Sequence, residues 1–82
     1  MTYFVYILLC KDKSLYTGIT NDVTKRFLAH KEGKGARYTR SHPPSKIVHT
    51  EKYQTKGRAL KREAEIKRLS RPQKIKLIAP TP

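Results

Sequence analysis

The chain has 82 residues, nineteen of them Lys or Arg and six Asp or Glu, which leaves a formal net charge of +13. That length is expected to form one domain over residues 1–79 with a short tail at 80–82, and it leaves no room for a second. The single cysteine, Cys10, excludes an intramolecular disulfide and fits a reducing cytoplasm, while the apolar run "YFVYILLC" falls far short of the roughly 20 residues of a membrane span and lacks a signal peptide's flanks.

Residues 3–10 are continuously apolar, β-branched and aromatic, the pattern of a strand buried on both faces. "KDKS" at 11–14 reads as a hairpin loop, and "LYTG" opens a second, shorter strand. Gly18 allows a bulge or a close approach of backbone. Thr20 or Asn21 can cap the next helix, with Asp22 in its first turn. That helix runs to about Lys31, where "EGKG" supplies two glycines suited to left-handed backbone. Val23 and Phe27 make its apolar stripe. Residues 34–45, "KGARYTRSHPPS", read as an exposed loop punctuated by glycine and proline. "KIVHTEKY" is a third strand with weaker alternation. Thr55 can cap a helix through about Leu69, and Ser70 a last one with Pro72 in its first turn. The order ββαβαα predicts an α+β fold, a three-stranded antiparallel sheet flanked by helices.

Three constellations could carry chemistry. Arg26 and His30 stand four residues apart on one helix and share a face. They suit either a solvated basic stripe or a guanidinium aimed at phosphate beside an imidazole that exchanges protons near neutral pH. On a wheel for the helix after Thr55, Glu63 falls inside the arc of Ala59, Ile66 and Leu60, whereas Glu65 falls among Arg58, Lys61 and Arg68. A carboxylate on a buried face requires a basic neighbour or a hard cation such as Mg²⁺. Tyr6 and Tyr16 flank the first hairpin. Buried strand tyrosines are usually core residues. These two share one side of the sheet only if the loop between them holds an odd number of residues or a bulge, which is the arrangement expected here.

The charge points to a polyanionic partner, nucleic acid first, with Lys34, Arg37, Arg40, Arg58, Lys61, Arg62 and Lys67 placed to track a backbone. Phosphate contacts of this kind carry no sequence information.

"FVY" at 4–6, then "YTG" at 16–18, followed by Arg26, His30 and later Glu63, resembles the GIY-YIG nuclease family. Phe4 and Val5 stand where the family name has Gly and Ile, and Thr17 stands for the second Ile; Tyr6, Tyr16 and Gly18 are kept. The runs "LYTGITNDVTKRFLAHKEGKGARYTR" and "ALKREAEIKRLSRPQK" look like the small, single-domain bacterial branch, and the likeness covers about residues 3–78. The resemblance implies an endonuclease hydrolysing phosphodiester bonds with Mg²⁺ or Mn²⁺. Within it, Tyr6 would help activate the attacking water and Tyr16 would position water or phosphate. Arg26 would stabilise phosphoryl charge, Glu63 would hold the metal and His30 would assist proton transfer. DNA is expected in preference to RNA, and a lone domain of this family is expected to be structure-directed or to depend on a protein partner for targeting; an exposed basic monomer without membrane association is the expected state. A basic binding module that keeps the fold without turnover, or an adaptor in a larger assembly, are the competing readings.

Overall fold

In a computed structural model that describes residues 2–78, the first apolar run forms the central strand of a three-stranded antiparallel sheet. The expected tail at 80–82 lies outside the described residues. This strand, β1 (Tyr3–Cys10), lies between β2 (Leu15–Thr20) and β3 (Pro44–Tyr53). A strand paired along both edges exposes nothing but its two faces, so its sequence is apolar on both. Val5 and Ile7 point to one face and pack with Ala59 and Ile66 of α3 (Lys56–Lys67), ringed by Ile19, Val48, Tyr53 and, from α4 (Arg71–Ile78), Leu77 and Ile78. Tyr6 points to the other face, where α1 (Val23–Lys31) and α2 (Arg37–Ser41) bring in His30 and Tyr38.

The hairpin loop holds three residues, 11–13. Lys13 N–H donates to the Cys10 carbonyl at 2.9 Å, Cys10 N–H donates to the Ser14 carbonyl at 2.8 Å, and Lys13 takes a left-handed φ of 74°. This is a tight turn closed by one left-handed residue, a common three-residue solution. The odd count pairs Tyr6 with Gly18 and Leu8 with Tyr16. Tyr6 and Tyr16 therefore share a face, as the loop argument required.

Three local expectations change. The cap of α1 is Asp22, whose carboxylate accepts the Lys25 N–H at 3.0 Å; Thr20 Oγ1 accepts the Asp22 N–H at 3.1 Å and shapes the approach. The stretch expected to be an exposed loop contains α2, and its Thr39 and Pro44 are buried. Five helical residues are too few to show a 3.6-residue period, and the turn is fixed by tertiary contacts of Thr39. The third strand begins at Pro44, two residues earlier than expected, and register shifts against Ile7/Leu8 and Leu9/Cys10 interrupt its pairing. Those bulges explain its weak alternation: His49 faces Ile7, but Ile47, two residues away, faces Leu8 on the other side. Thr55 caps α3 through the Arg58 N–H, and Ser70 and Gln73 bond reciprocally at the start of α4.

Candidate active site

Tyr6 and His30 are both 1% exposed, and the Tyr6 Oη lies 2.8 Å from His30 Nε2. On the far side of the imidazole, Nδ1 lies 2.6 Å from Thr39 Oγ1. Thr39 Oγ1 also receives the Ala36 N–H at 3.3 Å and donates its single proton to the Ala36 carbonyl at 3.1 Å. With that proton committed, Nδ1 must be the donor to Thr39, so Nε2 is bare and accepts the Tyr6 hydroxyl proton. The tautomer is thus assigned by the network. A proton path runs from Tyr6 into His30, with Thr39 holding the ring.

Electrostatics agree with this direction. Burial keeps His30 below its ordinary pKa, and the nearby Arg26 charge adds to the effect, so the ring is neutral near pH 7. Burial pushes Tyr6 up to about 12 against the pull of the Arg26 guanidinium. Tyr6 is therefore a phenol in the resting protein. It can take a proton from a nucleophile only while passing its own to His30.

Arg26 Nη2 donates to the Gly35 carbonyl at 3.3 Å. Gly35 itself must lack a side chain, because a Cβ there would collide with the His30 ring. The same backbone segment thereby steadies Arg26 and roofs His30. Tyr16 stands edge-on to His30 with centroids 5.1 Å apart, and 6.3 Å from Tyr6. Glu63 is close enough for its charge to act on the Tyr6 hydroxyl. Its carboxylate is 18% exposed and pairs with Lys67 Nζ at 3.3 Å.

The course of α3 explains why Glu63 reaches this place. Lys56 borders a groove with Ile19 and Thr20, and Lys67 borders another with Leu15, Tyr16 and Thr17. The helix therefore runs along β2 from its last residue to its first. From Lys56 to Lys67 it rises about 16 Å, close to the about 17 Å length of the strand. Glu63 shares the stripe of these two lysines and comes to rest near the middle of the strand.

Five side chains singled out from separate parts of the sequence, Tyr6, Tyr16, Arg26, His30 and Glu63, thus gather around β2. The GIY-YIG catalytic domain matches residues 2–76 of the chain. The chain belongs to the GIY-YIG family. UPF0213 proteins of Staphylococcus epidermidis and Staphylococcus saprophyticus are 53% and 49% identical to it, each alignment covering 93–94% of both chains. The solution structure of a UPF0213 protein of Bacillus halodurans is 47% identical, has a TM-score of 0.61, and is matched over 95% of this chain and 83% of that one.

The GIY-YIG nuclease type carries the expectation of a divalent metal. No cluster of three or more His, Cys, Asp or Glu able to hold a metal exists among the described residues. Within the site, Glu63 is the carboxylate whose chemistry would fit a hard cation. One carboxylate plus waters and a substrate phosphate suffice for Mg²⁺, and the half-buried acid has only Lys67 to displace.

The basic residues divide. Arg37 and Arg40 ride on α2, and Lys34 precedes it; all three are exposed. Arg58, Lys61 and Arg62 line a groove with Tyr53 and Glu65, on the side of α3 turned away from Glu63. Arg62 is held there by Glu51, at 2.8 and 3.2 Å. Glu65 behaves as the exposed, ion-paired acid that the wheel indicated, 3.5 Å from Arg62. Thr39 and Gly35 escaped sequence reasoning. A threonine and a glycine in a polar stretch carry no periodic signal, and their roles appear only once His30 is placed against them.

Proposed function

We propose that this protein is a divalent-metal-dependent endonuclease that hydrolyses phosphodiester bonds in DNA. The hydrogen-bonded chain from Tyr6 through His30 to Thr39, set beside Arg26 and Glu63, carries the reading. Tyr6 takes a proton from the attacking water as its own passes to His30 Nε2, and the resulting imidazolium keeps its Nδ1–H on Thr39. The hydroxide forms the new P–O bond, and the departing oxygen takes its proton from solvent. Arg26 stabilises the charge that builds on the phosphoryl oxygens, and Tyr16 positions the water or the phosphate. Glu63 holds the metal, which supplies Lewis-acid stabilisation when bound. The +13 charge supplies sequence-blind affinity for the backbone, with Lys34, Arg37 and Arg40 on the α2 side of the site. On this reading the protein works in the cytoplasm as a monomer, and a protein partner supplies targeting.

The test incubates the purified protein with single-stranded, nicked and branched DNA, with and without Mg²⁺. Metal-dependent cleavage that disappears in Arg26→Ala and Glu63→Ala is the expected result. Cleavage unchanged in both variants would assign the activity to a contaminant.

One observation favours a second reading. Lys67 already neutralises Glu63, as it would in a binding module without turnover. That reading expects salt-dependent DNA affinity, no hydrolysis, and little effect of Glu63→Ala on binding.

A further inference from the structure

Beside the catalytic groups, at the start of β2, lies a groove of about 200 Å³ lined by Leu15, Tyr16, Thr17, Tyr38, Lys67 and Lys74. Two features of its wall have no role in the reaction. Tyr38 is 37% exposed, an unusual position for an aromatic ring that is nonetheless held firmly. The His42 ring backs it at 4.1 Å with an interplanar angle of 6°, and Tyr16 lies at 5.9 Å and 22°. His42 is fixed in turn, since its Nδ1 donates to the Tyr38 carbonyl at 2.9 Å and its Nε2 lies 3.8 Å from Asp12. The second feature is Lys74, a half-buried lysine that forms no ion pair among the described residues.

We propose that this groove binds one unpaired nucleotide, its base stacked on the Tyr38 ring and its phosphate on Lys74. The proposal deepens the nuclease reading and rests on it, because it identifies the substrate as a strand with an unpaired base next to the site of cleavage. Chemistry selects this occupant. A rigid aromatic face accepts any base and loses little entropy on binding, and an unpaired ammonium at its edge suits the backbone charge. A paired base keeps both faces inside the helical stack and cannot cover Tyr38, so a blunt duplex gains only the backbone contacts. Lys67 adds a second cation at the rim once a metal takes over Glu63.

The test measures binding and omits metal. Fluorescein-labelled oligothymidylate, oligouridylate, a strand of abasic nucleotides with the same number of phosphates, and a blunt DNA duplex are titrated in EDTA and followed by anisotropy. The wild-type protein should bind one or both base-bearing strands about ten-fold more tightly than the abasic strand, the order that a single stacked base contributes. Whichever base-bearing strand is preferred tells DNA from RNA. Tyr38→Ala should abolish that preference and leave duplex affinity within about two-fold, whereas Tyr38→Phe should keep the preference. Lys74→Gln should weaken all strands alike and lower the salt slope by about one. Equal wild-type affinity for base-bearing and abasic strands would overturn the proposal, as would a preference that survives Tyr38→Ala. Since no metal is present, a lack of cleavage leaves these results untouched. Conversely, a nuclease that cleaves yet ignores base removal would lose only the groove.

Discussion

A methyl group on Gly18 would stand 2.6 Å from the Tyr6 hydroxyl oxygen and 2.8 Å from the ring carbon that bears it. The glycine that the sequence marked as a point of close approach faces a neighbouring side chain from the adjacent strand, and that side chain is the group at the head of the proton path. Gly18→Ala must therefore push Tyr6 away from His30. We expect destabilisation by about 1–3 kcal/mol, with loss of most cleavage. Gly57 in α3 provides the control, because a Cβ there meets nothing within 4 Å. Gly57→Ala should raise stability by about 0.5–1 kcal/mol and leave cleavage intact. Urea denaturation of both variants, alongside a cleavage assay, checks the contrast.

The pH profile should be one-sided. His30 sits below its ordinary value of 6.5, so it accepts the Tyr6 proton at neutral pH and stops doing so when it protonates on the acid side. Tyr6, pushed up to about 12, remains protonated through the mildly alkaline range. Single-turnover cleavage should fall below pH 6.5 and hold steady from 7 to 9. His30→Ala should remove the acid limb together with a rate factor of about 10²–10⁴. A limb that survives in the variant would place the titrating group elsewhere.

Arg26 and Glu63 should separate activity from stability. Among the described residues the Arg26 side chain holds the Gly35 carbonyl at 3.3 Å and pulls on the Tyr6 hydroxyl, and Glu63 pairs with a lysine that is 54% exposed. A pair whose lysine is exposed and free to re-orient is worth about 1 kcal/mol, so Glu63→Gln should melt close to the wild type. Its cleavage should drop by orders of magnitude, and Mg²⁺ binding measured by calorimetry should vanish with it. Arg26→Ala should lower the rate by about 10²–10³ and leave metal binding unchanged.

Glu51 sets the acid limit of folding. Burial alone would raise its pKa, but Arg62, Tyr53 and His49 all bond to it and hold it down at about 2, against an ordinary 4.5. A depressed carboxylate stabilises the fold above its unfolded value, and this contribution is lost as pH falls from 4.5 toward 2. Thermal melts should show Tm dropping through that window, with a shallower drop in Glu51→Gln. Parallel curves for the two proteins would exclude Glu51 as the cause.

The parts of this molecule legible in the sequence are those written in periods. The unbroken run from Tyr3 to Cys10 announced a strand covered on both faces, and Glu63 stood out beside Ala59 and Ile66, which are buried, although Leu60 on the same arc is exposed. Tyr6 and Tyr16 could be placed together only by an argument about parity, because their distance in sequence fits either side of the sheet. The segment from Lys34 to Ser45 was opaque. Its helix is a single turn, held by Thr39 reaching back to His30, and nothing local to those residues encodes a contact nine positions away. The same opacity hid Gly35, Tyr38 and His42, whose roles arise only when α2 folds over α1.

The three-residue loop at 11–13 has a consequence for how such a protein can vary. Among its side chains only Asp12 reaches a group discussed above, His42, and apart from the left-handed position of Lys13 the loop makes few demands on residue type. Its length has no such freedom. One residue added or removed would turn Tyr16 from the face it shares with Tyr6 and His30 to the opposite one, while the hairpin itself could still form. Substitutions in this loop that tolerate the left-handed backbone of Lys13 should be far milder than a single-codon insertion, which should be fatal to function, so the loop acts as a spacer whose information lies chiefly in its count.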